Sequence, residues 1–245
     1  MRNITAIVLA AGHGERMKAR QINKVVFPLG NKQMILHTID LLENLAIKRT
    51  VVVVGFAKES VIKILGSRAI FAEQKKRLGT AHAVLCALDK IAKNVKTVLV
   101  LNGDDSAFYK KETIEDLIKK HIESGASITF LTIVLADRSG LGRVVRDKEG
   151  KVIAIVEDRD TTAKQKKIKE INPGCYIFDL GFLHKNLRKI KKSKISGEYY
   201  LTALIDIAIK NNEKIETVRS GKLSWRGINT MDELKEAEKM FLQTK

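Results

Sequence analysis

The apolar positions of this chain fall into two recurring patterns. Three short runs, Ile4 to Leu9, Thr50 to Val54 and Thr97 to Leu101, are almost wholly apolar and rich in β-branched residues. A strand with one wet face alternates apolar and polar side chains, so unbroken runs predict parallel strands covered on both faces. Between them, Gln33 to Asn44, Lys58 to Leu65 and Thr80 to Ala92 place apolar residues three and four apart, the spacing of an amphipathic helix. Strand and helix thus alternate as in a doubly wound, mostly parallel α/β sheet of the Rossmann-like kind.

After Asp105 the pattern changes. Lys111 to Ser124 reads as a further helix, and Ile128 to Leu135, Arg143 to Arg146, Val152 to Glu157 and Ile171 to Phe178 follow as strands with short turns. That succession predicts a smaller antiparallel or mixed portion, with Lys148 to Lys151 as a hairpin turn. Tyr199 to Lys210 and Met231 to Leu242 are predicted helices, and Lys214 to Val218 a strand between them. No internal repeat, Pro/Ser-rich linker or low-complexity tract interrupts the 245 residues, which favours one continuous domain.

Composition excludes several classes. With 44% hydrophobic and 30% charged residues and two prolines, the chain is neither disordered nor collagenous, and it has apolar mass for a core. No run approaches the ~18 apolar residues of a membrane span. Arg2 followed by Ile4 to Ala11 imitates a short signal peptide, but the run passes directly into GHGER, which suits a buried strand feeding a glycine loop. Cys86 and Cys175 stand far apart, outside any metal or redox spacing, so they read as reduced thiols. These features predict a soluble, cytoplasmic protein.

Charge adds one question. The chain carries 45 Lys+Arg against 28 Asp+Glu, a net +17, which points to an anionic partner. Its densest basic stretch, Lys185 to Lys194, is interleaved with Leu187 and Ile190 at helical spacing and reads as the solvated face of a surface helix. With 5% aromatic residues, base-stacking platforms are not expected. The expected partners are therefore small phosphorylated ligands, with neither nucleic acid nor membrane among them.

In an open α/β sheet, ligands bind beyond the carboxyl ends of the strands. The segment there after the first run is LAAGHGERM, Leu9 to Met17. Gly12 and Gly14 permit backbone conformations closed to other residues and bring N–H groups near an anion. Arg16 offers a bidentate fork, and Lys24 a point charge. The loop is neither a Walker motif, which ends Gly-Lys-Ser/Thr, nor a dinucleotide fingerprint, which wants a small residue where Met17 stands and an acid where Val54-Gly55 ends the next strand.

Taken together, LAAGHGERM with Lys24-Val25, Gln74 with LGTAHAV, NGD at 102–104, GLGRVVRD at 140–147, AIVEDRDTTAKQKKIKEINPG at 154–174, GEYYLT at 197–202 and GINT at 227–230 resemble the sugar-1-phosphate nucleotidyltransferases. Within them the likeness is greatest to the uridyltransferase (pyrophosphorylase) domains of bifunctional uridyltransferase/acetyltransferases. The resemblance implies the nucleotide-diphospho-sugar transferase fold, with a nucleotide-binding part at about 1–110, a smaller antiparallel sugar-binding part at about 111–230 and a C-terminal helix at 231–242. It implies transfer of a nucleotidyl group, most closely from UTP to N-acetylglucosamine 1-phosphate, with Mg2+ as cofactor, in nucleotide-sugar and cell-envelope biosynthesis. It also implies that this chain lacks the acetyl-transferring hexapeptide-repeat half and the trimer which that half makes.

By the same resemblance, Arg16, Lys24 and Asp104 carry the chemistry, and Asp104 and Asn229 hold the metal. Leu9, Ala10, Ala11, Gly12, Gly14, Gln74, Gly79 and Thr80 bind the nucleotide, and Asn102, Gly103, Gly142, Glu157 and Asn172 the sugar. An amide such as Gln74, with donor and acceptor, suits the imide edge of a pyrimidine, while Thr80 is also a plausible helix cap. His82, on the predicted helix, and His13, in the loop, have no Ser or Cys nucleophile beside them. His82 reads as a structural hydrogen-bonding partner.

The chain departs from the family pattern where Glu15 replaces Thr or Ser, Asn23 replaces Pro and Asn102 replaces Tyr. Asp105-Ser106-Ala107 stands where an apolar Pro-containing segment is usual, Pro173 replaces Thr, and Ala203 replaces Asp. Several of these cluster at the sugar end. Thymidylyl or cytidylyl transfer to another phosphorylated sugar, and a non-catalytic nucleotide-sugar-binding protein, remain alternatives.

Overall fold

In the computed structural model, which describes residues 3–17, 21–220 and 225–243, the chain begins with β1 (Ile4–Ala10), a small hairpin of β2 (Pro28–Leu29) and β3 (Lys32–Gln33), α1 (Met34–Asn44), β4 (Thr50–Val54), α2 (Lys58–Leu65), β5 (Ile70–Glu73) and α3 (Thr80–Ala87). It continues through β6 (Thr97–Asn102), α4 (Lys111–Ser124), β7 (Ile128–Val134), β8 (Gly142–Arg146), β9 (Val152–Val156) and α5 (Ala163–Lys166). β10 (Glu170–Asn172), β11 (Tyr176–Asp179), α6 (Leu180–Asn186), α7 (Ala203–Lys210), β12 (Ile215–Arg219) and α8 (Met231–Gln243) complete it.

Ten strands form one sheet in the order β5-β4-β1-β6-β11-β7-β10-β8-β9, with β12 pairing β7. β5, β4, β1 and β6 run parallel, and the apolar runs of β4, β1 and β6 are explained by burial on both faces. Ala6 and Val8 of β1, Val52 and Val54 of β4, and Leu99 and Leu101 of β6 pack into one core with α1, α2, α4 and α8. The alternate residues Ile7, Val51, Val53, Val98 and Val100 join a second core with α3, α6 and α7. Neither face reaches water, so no polar side of the strand exists to be read as alternation.

The predicted strand Ile171 to Phe178 is broken in two. Pro173 lacks an N–H for the ladder and Gly174 takes φ +88°, a conformation that favours glycine. A Cβ on Gly174 would also sit 2.4 Å from Asn102 Nδ2. On one side of the break β11 pairs antiparallel with β6, and on the other β10 pairs with β8. The break is thus where the parallel sheet hands over to the antiparallel β8–β9 hairpin, whose predicted turn is present with Gly150 at φ +83°.

Other differences have local causes. β5 escapes the apolar-run criterion because it is four residues long and mostly half-exposed. α3 tightens into a 3-10 turn over Leu88–Lys90. α7 starts at Ala203 and not Tyr199, because the backbone of 199–201 is committed to another turn described below. The stretch Lys185 to Lys194 is not one helix: α6 ends at Asn186 and a 3-10 turn covers Leu187–Lys189. Leu187 and Ile190 are buried there while Arg188, Lys189 and Lys191 face solvent. Among the described residues no helix is long and apolar enough to cross a membrane; Arg2 lies outside them.

At the outer part of the sheet, Glu170 is buried beneath two arginines, with Arg146 donating to its two oxygens at 2.7 and 2.9 Å and Arg219 at 3.2 Å. Burial works to raise its pKa, but the hydrogen bonds and charges of Arg146 and Arg219 prevail and hold the carboxyl below its ordinary value. A folded pKa below the unfolded one means stability that is present at neutral pH and is lost as pH falls through the carboxylate range. Glu170→Gln should therefore cost on the order of 2 to 3 kcal/mol at pH 7. In denaturant titrations at stepped pH, the variant and parent curves should converge in acid. Parallel curves at all pH values would contradict this account.

Candidate active site

The carboxyl ends of β1 and β6 and the break between β10 and β11 open onto one cavity of about 420 Å³. On one wall are Leu9, Ala11, Gly12, Lys24, Gln74, Gly79 and Thr80, and on the opposite one Gly142, Glu157 and Asn172. Asn102, Asp104 and Asn229 line it as well. Most residues assigned by resemblance thus meet in a single space, although they are spread along the chain from Leu9 to Asn229.

The first wall depends on Asn23, the residue standing where the family usually has proline. Its side chain is fully buried. The amide nitrogen donates to the carbonyls of Ala10 at 2.9 Å, Gly12 at 3.2 Å and Phe56 at 2.8 Å. Oδ1 accepts from Val25 N–H at 3.1 Å, capping the 3-10 turn Lys24–Val26. One side chain therefore ties the glycine loop to the end of β4 and starts the turn that carries Lys24.

Lys24 lines the cavity and is held there by three contacts. Its ammonium forms an ion pair with Asp104 Oδ2 and donates to Asn229 Oδ1 at 3.1 Å and to the Ile228 carbonyl at 3.3 Å. Asp104 is placed by β6, whose following residue Gly103 donates its N–H to the Leu9 carbonyl at 3.0 Å. Asn229 is placed by a capping box at the start of α8. There Glu233 accepts from the Asn229 and Thr230 N–H groups at 2.6 and 2.9 Å, and Thr230 Oγ1 accepts from Glu233 N–H at 3.1 Å.

The second wall is partly desolvated. Burial raises the pKa of Glu157 against the lowering effect of Thr202, whose hydroxyl donates to Oε1 at 2.7 Å. A Cβ on Gly142 would meet the Ile155 side chain at 3.2 Å and lie 3.7 Å from Glu157 Oε2, so the backbone of Gly142 packs closely beside that carboxylate. Asn172 is committed on both sides: Nδ2 donates to Tyr176 Oη, and Oδ1 accepts from Gly174 N–H at 3.1 Å. Tyr176 itself lines the cavity, and burial pushes its phenol pKa up.

Asn102 Nδ2 donates to Asp105 Oδ2 at 3.1 Å and to the Pro173 carbonyl at 3.3 Å. Burial and the neighbouring Asp104 push the Asp105 carboxyl well above the usual range. The departures at 102, 105 and 173 are therefore one connected unit that ties the end of β6 to the strand break.

Four assigned residues fall outside the cavity wall. Ala10 is buried with its carbonyl on Asn23, and Gly103 packs behind Asn102. Gly14 forms the turn with φ +64° that precedes the 3-10 turn Glu15–Met17. In that turn Met17 is buried and Arg16 is exposed, so Arg16 is not brought to the other groups. Arg77 is a cavity-lining cation that the sequence reading missed, and it lies 3.6 Å from Glu15. The signal was present as the basic run Lys75-Lys76-Arg77 directly after Gln74. Its partner accounts for the acid in the glycine loop.

The sequence model of the family described as nucleotidyl transferase matches residues 5–244. The chain is 44% identical over 237 residues to the bifunctional protein GlmU of Caldicellulosiruptor saccharolyticus, covering 96% of this chain and 51% of that protein. It is 41% identical over 243 residues to the bifunctional protein GlmU of Thermoanaerobacter pseudethanolicus, covering 98% and 52% respectively. The chain thus spans about half the length of these curated relatives. A crystal structure described as a "Putative Glucose-1-Phosphate Thymidylyltransferase from Bacillus anthracis in Complex with a Sucrose" superposes with a TM-score of 0.82, at 21% identity, over 97% of this chain and 95% of that one. At that identity it speaks to the fold, which it shares.

Asn23→Ala tests the scaffold independently of chemistry. Stripping one donor group from three buried or half-buried carbonyls should cost about 3 kcal/mol, read as a lowered denaturant midpoint at unchanged m-value. A loss below about 0.5 kcal/mol, the usual surface range, would show that water replaces the amide.

Proposed function

The chain belongs to the nucleotidyl transferase family, and from that premise we propose that it transfers a nucleotidyl group from a pyrimidine nucleoside triphosphate, UTP foremost, to a sugar 1-phosphate, N-acetylglucosamine 1-phosphate foremost. The products are the nucleotide sugar and pyrophosphate. A sugar-phosphate oxygen attacks the α-phosphorus in line, forming one P–O bond. The bond to the oxygen bridging the α- and β-phosphorus breaks, and its electron pair leaves with pyrophosphate. The nucleophile is already an anion, so no general base is required. The protein's task is to position two polyanions and to offset their charge.

The observation that carries this reading is the meeting of Lys24, Asp104 and Asn229 between the two walls. The glycine loop and the N–H groups around it receive the nucleotide. Lys24 and Arg77 supply positive charge on the phosphate side. Glu157 and the Tyr176 hydroxyl face the sugar, where Glu157 accepts hydroxyl or amide protons.

The donor set also fits Mg2+. Asp104 Oδ2 and Asn229 Oδ1 already converge on one cation, the Lys24 ammonium. Both are hard oxygen donors, and Mg2+ commonly takes one or two protein oxygens and completes its octahedron with phosphate oxygens and water. Among the described residues no group of three or more His, Cys, Asp or Glu could hold a metal, so such an ion would depend on the substrates for its remaining ligands. When bound, it would offset charge on the α-phosphate and the leaving pyrophosphate.

A panel of UTP, dTTP, CTP and ATP against sugar 1-phosphates, with pyrophosphate release as the readout, tests the proposal. UTP with N-acetylglucosamine 1-phosphate should give the highest kcat/KM. Asp104→Ala and Lys24→Ala should each lose on the order of 100- to 1000-fold in kcat. Tight binding of a UDP-sugar without exchange of labelled pyrophosphate would instead identify a nucleotide-sugar-binding protein and overturn the catalytic reading.

A further inference from the structure

Gln74 is buried at the nucleotide end of the cavity, only 5% exposed, and the orientation of its amide is determined by its neighbours. Nε2 lies 3.0 Å from the Gly79 carbonyl and 3.0 Å from His82 Nδ1. A backbone carbonyl only accepts, so the nitrogen end must face it, and both amide protons are then committed: one to Gly79 O, the other to His82. For the second bond to exist, Nδ1 must carry a lone pair and the proton must sit on Nε2, the nitrogen away from Gln74. Gln74 Oε1, by contrast, has no hydrogen-bond partner among the described residues and is not sealed from solvent.

We propose that His82 is a positioning residue that locks the Gln74 amide with its carbonyl oxygen toward the cavity, so that the base subsite reads a ring N–H and rejects a ring lone pair. The inference rests on the nucleotidyl-transfer reading of the site and specifies which pyrimidines it takes. An amide free to turn could offer its donor to N3 of cytosine or its acceptor to N3–H of uracil. The locked amide offers only an acceptor. Uracil and thymine present a carbonyl, an N–H and a carbonyl in sequence along their imide edge. Gln74 Oε1 meets the central N–H, and the backbone N–H groups of Gly79 and Thr80, which have no partner among the described residues, are the donors of the same turn. Cytosine would bring its N3 lone pair against Oε1.

The turn that holds the lock is itself rigid. Gly79 has φ +106°, and a Cβ there would sit 2.5 Å from the Tyr199 carbonyl oxygen. Tyr199 N–H donates to the Leu78 carbonyl at 2.7 Å, and Ala81 N–H to the Tyr199 carbonyl at 2.9 Å. Thr80 Oγ1 accepts from Leu201 N–H at 2.9 Å; it is not the cap of α3, whose N-cap is Gly79 without a side-chain bond. With Gly79 O fixed by this strap, and His82 fixed one turn into α3, neither acceptor can follow the amide if it turns.

Two measurements test the proposal. In the unmodified protein, 15N NMR of labelled imidazoles should show His82 with an unprotonated Nδ1 and a protonated Nε2; a proton on Nδ1 would overturn the lock. In kinetics, the parent should favour UTP over CTP by on the order of 100-fold in kcat/KM. His82→Phe keeps a ring but no acceptor, and should reduce that preference about five- to tenfold, mainly through a higher KM for UTP with kcat little changed. His82→Asn, whose Oδ1 sits near the place of Nδ1, should restore it. An unaltered UTP/CTP ratio in folded His82→Phe protein would refute the lock. If the parent turns over no nucleoside triphosphate, the functional proposal fails by itself, and the NMR result still decides the state of His82.

Discussion

The arrangement depends on one ammonium group with three partners from distant parts of the chain. Lys24 lies on a 3-10 turn near the N-terminus, Asp104 after β6, and Asn229 before α8, and the Lys24 Nζ joins its own turn to the other two regions through Asp104, Ile228 and Asn229. The pair is largely removed from water, with 15% and 13% of the two side chains exposed. A charge so placed is costly unless paired. The turn that presents Lys24, the strand end that presents Asp104 and the capping box that presents Asn229 must therefore be right together. Each is built locally, by Asn23, by Gly103 against Leu9, and by Thr230 with Glu233.

The cavity exists because the sheet divides. The break between β10 and β11 lies in the cavity wall, which Asn172, Pro173, Gly174 and Tyr176 all line. Pro173 and Gly174 interrupt the strand, so β11 stays with the parallel strands while β10 leads to β8 and β9. Asn102 then bonds to the Pro173 carbonyl across the gap, and Asn172 to the Gly174 N–H. Three of the positions that depart from the family pattern, Asn102, Asp105 and Pro173, lie at this junction and are connected by hydrogen bonds from Asn102. They alter the joint between the two walls more than the charged centre.

The wall that carries Gln74 shows how a backbone strap fixes the direction of a side-chain amide. Residues 199–201 would extend α7 by periodicity, yet their backbone groups are used on the turn before α3. That turn fixes the Gly79 carbonyl, which with His82 fixes Gln74. A helix forgoes its first turn, and a carbonyl oxygen gains a defined direction.

The alternation of unbroken apolar runs with amphipathic helices was enough to read the doubly wound sheet, because burial on both faces leaves its mark on the consecutive residues of β1, β4 and β6. The motifs LAAGHGERM, NGD and GINT pointed to Lys24, Asp104 and Asn229 through the family resemblance they carry, and the fold brings those three side chains into contact. The bonds of a buried amide are not so marked. Asn23 looked like a missing proline and Gln74 like an amide free to pair either way. Arg16, in the expected motif, proved to be exposed, while Arg77, in no motif, lines the cavity. Composition and spacing record how apolar a position is and which charges are available. Where a hydrogen bond ends depends on groups brought together from remote parts of the chain, and only packing places Tyr199 on Gly79 or Lys24 between Asp104 and Asn229.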